Sequence, residues 1–290
     1  MALSDRVPTT VDTNKFIPKL YCNRVIDAAK SDLVAWDAIS SEWRDDLVKG
    51  NILYIPKTNT VSANEVVVGT KHATPENPFN TTGVTLTINQ WWEAPVDIDY
   101  MTLRQTQADM EGVAATEAAY AIRVEIDGSV CDLFSTLGGY SATAYGTDGQ
   151  TLNDDILLYL KETLDEYDVP MVLADRSLIV DPSGLVDMLK IDKLVAADYV
   201  KIGNIQNGII GNSVYGCKVR VTNALTISEG TVGSYGCLLH RRAIASAAQI
   251  DTAWVKEYED LHLRRYQSEA LWGVTVAQAY FGIPFYTRKT

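Results

Sequence analysis

The chain has 290 residues, 47% hydrophobic and 21% charged, which suffices for one large domain or two medium ones with an ordinary core. Its net charge of -12 excludes a protein that grips nucleic acid over a broad face, because phosphate binding needs Lys and Arg; enclosing nucleic acid is not excluded. With 9 prolines and 19 glycines, long disordered tracts are not expected either.

The opening residues, Met1 to Arg6, lack the apolar core of a secretory signal. Phe16 to Tyr21 leads into apolar positions Leu20, Val25, Ile26, Leu33, Val34 and Trp36, then Ile39, Trp43 and Leu47, a pattern that predicts an amphipathic helical arm. From Gly50 the character turns to strand: Ile52 to Pro56, Val66 to Gly69, and Val84 to Ile88, the last alternating apolar residues with Thr at period two. Residues 57–82 are rich in Thr, Asn and Pro, with a tip near Lys71 to Phe79. So polar a hairpin buries little against its own domain, and an isolated two-stranded hairpin is marginal in water, so it should lie on something else. Trp91 and Trp92 follow a strand, which puts one ring on each side: one core, the other an interface anchor.

Leu103 to Leu137 carries the strongest helical signal, with Met110, Ala114, Ala118, Ile122, Ile126, Val130, Leu133 and Leu137 at steps of four or three. Unbroken, about 35 residues would span roughly 50 Å. Gly112 and Gly128 are candidate bends, and Gly138 with Gly139 a natural stop. After a polar loop over 140–150, Asn153 or Thr151 caps a helix through Tyr167, ended by Val169 and Pro170. Leu178 to Val180 reads as a buried strand, and Asp181 to Gly184 starts a helix through Leu189. Glycines at 203, 208, 211 and 216 interrupt an Ile-rich stretch, Lys218 to Thr222 alternates as a strand, and 235–290 is strand-rich. The triplet Tyr-Gly-Cys occurs at 215 and 235 without a wider repeat.

Little here supports catalysis. His72, His240 and His262 have no metal-ligand spacing, no G-x-S-x-G elbow occurs, and the glycines of 203–216 lack both phosphate-loop and dinucleotide patterns. Between Asp154 and Asp198 eleven acids face four bases; a solvated acidic face explains them without a cation site. The four cysteines, at 22, 131, 217 and 237, read as reduced, packed thiols. The uncharged run from Ala270 to Thr287 contains Gly273, Gly282 and Pro284 and reads as strand, not as a membrane span. Arg241 with Arg242, and Arg264 with Arg265, suit either carboxylates within the domain, those of another copy of the chain, or nucleic acid.

The order of these pieces resembles the Hong Kong 97-type fold of tailed-bacteriophage major capsid proteins. The stretches that carry the resemblance are 85–92 running into 98–105, then 176–189, 208–225 and 237–245. It implies an α+β fold with an N-terminal arm (1–47), an extended β-hairpin loop (48–94), a peripheral domain (95–140 and 232–290, with a return of its end to the axial domain left open) with a spine helix at 103–137, and an axial domain (141–231). It further implies self-assembly into pentamers and hexamers of an icosahedral shell around double-stranded DNA, held without sequence-specific contacts. A separate scaffold protein and a portal are the expected partners, with a cement protein left open; a membrane is not expected. Assembly would occur in the cytoplasm of a host bacterium. Lys57, Lys71, Phe79, Trp91, Trp92, Arg241, Arg242, Arg264 and Arg265 are the candidate inter-subunit contacts, and Gly112, Gly128, Gly138 and Gly139 the candidate hinges. No catalytic residue, metal or cofactor is expected. A nanocompartment shell of the same fold and a soluble acidic α/β enzyme are the alternatives.

Overall fold

In a computed structural model, the described residues are 34–40, 42–43, 50–58, 63, 65, 68, 81–105, 109–138, 144–170, 175–195, 205–206, 209–210, 213–228 and 232–288. Most of the expected arm, the hairpin tip with Lys71 and Phe79, and Gly139, Gly203, Gly208 and Gly211 lie outside them. Of the arm, a short helix α1 (Ala35–Ala38) is described.

The hairpin pairs β1 (Ile52–Thr58) antiparallel with β2 (Thr81–Thr87), Ile52 opposite Thr87 and Thr58 opposite Thr81. Period-two patterning sorts its faces: Ile55, Leu86 and Ile88 are buried, whereas Ile52 and Tyr54 point outward. Val68, expected in a strand, lies in an exposed turn.

Two larger sheets form the body. In the first, β3 (Gln90–Asp99), β10 (Ile244–Tyr258) and β11 (Leu263–Val276) run antiparallel in the order β10-β11-β3. The spine lies on one face of it. That helix is not continuous over 103–137: α2 (Tyr100–Gln105) precedes residues outside the described set, and α3 (Met110–Asp132) starts afresh, then tightens to a 3₁₀ turn over Leu133–Thr136. Asp109 caps α3 by accepting from the Gly112 N–H at 3.0 Å, which fixes a helix start where the periodicity alone suggested a helix interior. Ala114, Ala118, Ile122 and Val130 are buried, as their spacing requires. Trp272 of β11 is fully buried under α3, and its indole N–H is satisfied by the Ser129 hydroxyl at 3.1 Å.

The second sheet is five-stranded, in the order β12-β9-β4-β8-β7, from β4 (Arg176–Val180), β7 (Ser213–Val214), β8 (Cys217–Val221), β9 (Gly233–His240) and β12 (Gly282–Arg288). Only β4 and β8 are parallel. Both faces are covered, so every residue of β4 and β9 is buried. On one face, α4 (Asp154–Glu166) and α5 (Pro182–Met188) bring Leu157, Leu160, Leu164 and Met188 against Leu178, Val180, Leu238 and Phe285. On the other, Val130, Phe134 and Leu137 from the end of the spine pack on Ile179, Cys237 and Leu239. Asn153 and Asp181 cap α4 and α5. A four-residue helix, α6 (Asp192–Val195), and the small pair β5 (Ile205–Gln206) and β6 (Ile209–Ile210) complete the described elements.

Chain membership of this sheet differs from the sequence reading. β9 was expected beyond a boundary at 231, within the same unit as β10 and β11; it is instead the strand between β4 and β12, and the chain crosses to the other sheet at the 3₁₀ turn Arg241–Ala243. The limit expected at 94 likewise falls inside β3. The two Tyr-Gly-Cys triplets do different jobs. Tyr215 and Gly216 both take positive φ in the two-residue loop joining β7 to β8, whereas Tyr235 and Gly236 are extended within β9.

Candidate assembly surfaces

The base of the hairpin is seated on the first sheet by backbone contact. A Cβ on Gly273 of β11 would lie 2.2 Å from the Thr87 carbonyl oxygen and 2.9 Å from the Ile88 Cα, so only glycine admits that approach. Ile55, Leu86 and Ile88 then close a small core with Ala245 and Ala247, and the Ile88 N–H donates to the Asn51 carbonyl at 2.9 Å. On the described part of the hairpin beyond this base, Tyr54 is 72% exposed, and Lys57, opposite Thr82, is exposed too.

Sheet alternation sends Trp92 to the helix side of β3 and Trp91 to the far side. Neither is core. Trp91 is 69% exposed and Trp92 47%, because β3 is the outer strand and the cover of α3 does not extend over Trp92. On the far face, beyond the hairpin base, a polar network runs across the strands. Gln267 donates to Glu93 at 2.6 Å and to Glu269 at 2.8 Å, and Arg265 clamps Asp97 through both carboxylate oxygens at 2.6 and 2.7 Å. That Arg265 hydrogen bond holds the Asp97 carboxyl below its ordinary range. Trp254 donates to Glu269 at 3.3 Å and is itself partly exposed.

The paired arginines are engaged within the chain. Arg264 bridges Glu111, at 2.7 Å, and Glu257; Arg265 takes Asp97; Arg242 meets Glu42 at 3.4 Å; and the Arg241 N–H donates to the Asp175 carbonyl at 2.7 Å. The acidic stretch is also largely internal in its pairing. Asp154 accepts from Lys193 and Tyr215; burial pushes its carboxyl up, yet the two bonds outweigh it and the net shift is downward. The Tyr215 phenol, partly buried beside that carboxylate, is pushed up to about 12. Burial likewise opposes ionisation of Asp165, but Lys161 and Arg176, each at 2.6 Å, bring it below the usual range. Asp187, almost wholly buried, accepts from Lys190, Arg288 and the Leu152 N–H. Among the described residues no group of His, Cys, Asp and Glu is arranged to hold a metal ion, and no helix is long and apolar enough to cross a membrane. Cys131, Cys217 and Cys237 are buried free thiols whose pKa burial raises, which makes them inert packing residues.

The candidate hinges separate into distinct cases. Gly112 lies in the capped first turn of α3, with Asp109 Oδ2 2.6 Å from where its Cβ would be, so that position is fixed and not a mid-helix bend. Gly128 is inside the continuous helix with nothing within 4 Å of a Cβ. Gly138 takes φ +86 just past the 3₁₀ turn and donates to the Ala279 carbonyl at 3.0 Å, the stop that the sequence suggests. Two residues with evident positional roles were not singled out from sequence. Gly273 carried a usable signal, an isolated glycine inside a strand pattern. Asp127, a buried acid on the spine, carried the signal of a charge on an apolar stripe.

Residues 43–262 match the family model described as phage capsid protein. No curated protein matches the chain. Solved structures that resemble it include one from Mycobacterium phage Che8, at 20% identity and TM-score 0.79, covering 94% of this chain and 97% of that one. The capsid of cyanophage P-SCSP1u is similar at 14% identity and TM-score 0.77, covering 98% and 96%. A capsid of a native GTA particle, computed with C5 symmetry, is similar at 12% identity and TM-score 0.69, covering 98% and 100%. The fold is therefore the α+β, Hong Kong 97-type capsid fold that the order of elements suggested.

Proposed function

Because this chain belongs to the phage capsid protein family, we propose that it is the major capsid subunit, assembling through pentamers and hexamers into an icosahedral shell that encloses double-stranded DNA. The observation that carries the assembly geometry is the hairpin: its base is locked to the body at Gly273, while its outward face leaves Tyr54 72% and Ile52 49% exposed. A neighbouring copy supplies that cover. Trp91, Trp92 and the exposed Val255 add apolar surface on and beside the outer strands, and contacts of this size become a stable shell by repetition. Lys57, Lys71 and Phe79 join as hairpin contacts. Arg241, Arg242, Arg264 and Arg265 act mainly by shaping the subunit, since their charges or backbone are already engaged within it.

The role is structural, not catalytic. The acidic balance suits a container, which gains from not adhering to the polymer it holds. A separate scaffold protein, a portal and a cement protein complete the particle, which is built in the cytoplasm of a host bacterium. The family match favours a genome shell over an enzyme-loaded nanocompartment.

Electron microscopy of the purified chain, with size-exclusion chromatography beside it, tests the reading. Closed shells, or rings of five and six, are the expected products, alone or with scaffold present. A monomer at every concentration, with scaffold as well as without, would overturn it.

A further inference from the structure

Residues 34–40 and Glu42 lie over the junction of the two body sheets and touch elements of both. Ala35, Ala38 and Ile39 are buried among Val130, Cys131 and Phe134 of the spine and its 3₁₀ turn, and Ile179, Cys237 and Leu239 of the five-stranded sheet. Trp36 packs on that cluster and also on the one formed by Ile122, Ala270 and Trp272, which belongs to the three-stranded sheet. Ser40 bridges Ala245 in parallel, and its carbonyl accepts from the Ser246 hydroxyl at 3.0 Å. Arg220 of β8 donates to the Asp37 carbonyl at 3.5 Å, and Arg242 in the crossing turn meets Glu42.

One side chain stands out in this junction. Asp127, on the buried face of α3 and 1% exposed, accepts the Trp36 N–H at 2.8 Å through Oδ1, while Oδ2 has no hydrogen-bond partner. A four-residue helix leaves its first N–H groups without internal partners, and Val34 before it offers no side-chain cap. The cap comes instead from another element, 91 residues further along the chain. A carboxylate on an otherwise apolar helix stripe costs desolvation that a leucine or methionine there would avoid. Packing does not explain it; the backbone it holds does.

We propose that residues 34–40 with Glu42 form a strap that Asp127 fastens across the junction, holding the two sheets in one mutual orientation while docked and freeing the junction when released. The inference rests on the geometry of the single chain and stands whether or not the chain assembles.

Hydrogen exchange on the full-length, unassembled chain tests it. Asp127→Ala should speed exchange at least about tenfold over 35–40 and over the crossing at 241–245, while 154–166, 176–180 and 233–239 keep their protection. Asp127→Asn retains an oxygen for the Trp36 N–H and should restore much of the lost protection over 35–40. Unchanged exchange over 35–40 in Asp127→Ala would overturn the proposal, as would an equal rise along the whole chain, which would mean general support of folding. Should that variant fail to fold, Ser246→Ala removes a second fastening without touching a buried charge. Loosening confined to the strap and crossing then supports the proposal, and uniform or absent loosening overturns it. Failure of the unaltered chain to form particles would count against the shell reading alone and leave the exchange result untouched.

Discussion

Gly273 and Gly128 make opposite predictions from the same chemical change. At Gly273 an added methyl would have to sit 2.2 Å from the Thr87 carbonyl oxygen, so Gly273→Ala should displace the hairpin base and cost about 1–3 kcal/mol, read by denaturant unfolding and by faster exchange over 81–87. Gly128 sits in a helix with open space around its missing Cβ, so Gly128→Ala should stabilise the chain by roughly 0.5–1 kcal/mol. If Gly128 bends the spine during assembly, the same variant shifts particle size or yield; unchanged particles would remove it as a hinge. His240 supplies a pH test. Its Nδ1 accepts the Arg242 N–H at 3.2 Å, its Nε2 is buried without a partner, and burial lowers its pKa. The unfolded chain therefore takes up this proton first as pH falls through about 6.5, and the folded state loses stability there. Thermal melts from pH 8 to 5 should show that loss, and His240→Asn, which keeps an acceptor without titrating, should flatten it.

At the scale of elements, the legible parts were those whose signal is local. Thr85 and Thr87 alternating with Leu86 and Ile88 marked one face of the hairpin, and the Ala114, Ala118, Ile122 and Val130 stripe marked the spine, because each pattern is written by the element's own burial. The cap at Asp109 was missed because its acceptor role is visible only once the helix start is known. The sheet membership of β9 was missed for another reason. A strand buried on both faces reads the same whichever sheet it joins, and nothing in Gly233 to His240 names β4 as its neighbour. Trp91 and Trp92 show the limit of alternation, which assigns faces but does not say whether anything covers them. Burial also separates their roles from that of Trp272. Trp272→Ala should cost about 3–5 kcal/mol of stability, whereas Trp91→Ser or Tyr54→Ser should change it by less than about 0.5 kcal/mol yet depress particle formation, measured by light scattering beside thermal melts.

For the molecule as a whole, a charge of -12 on every copy means that assembly works against like-charge repulsion. Particle yield should therefore rise between low salt and about 0.15 M, where the screening length falls to about 8 Å. The connectivity of the three-stranded sheet has a consequence for how the protein is made. Among the described residues β3 pairs with β11 alone, Trp92 lying opposite Ala270. On a ribosome adding roughly 5–20 residues per second, β3 emerges about 10–35 seconds before its partner exists. Through that interval its edge, with Trp91 and Trp92 beside it, is open to other nascent chains, so the polysome is where this subunit is most exposed to premature association.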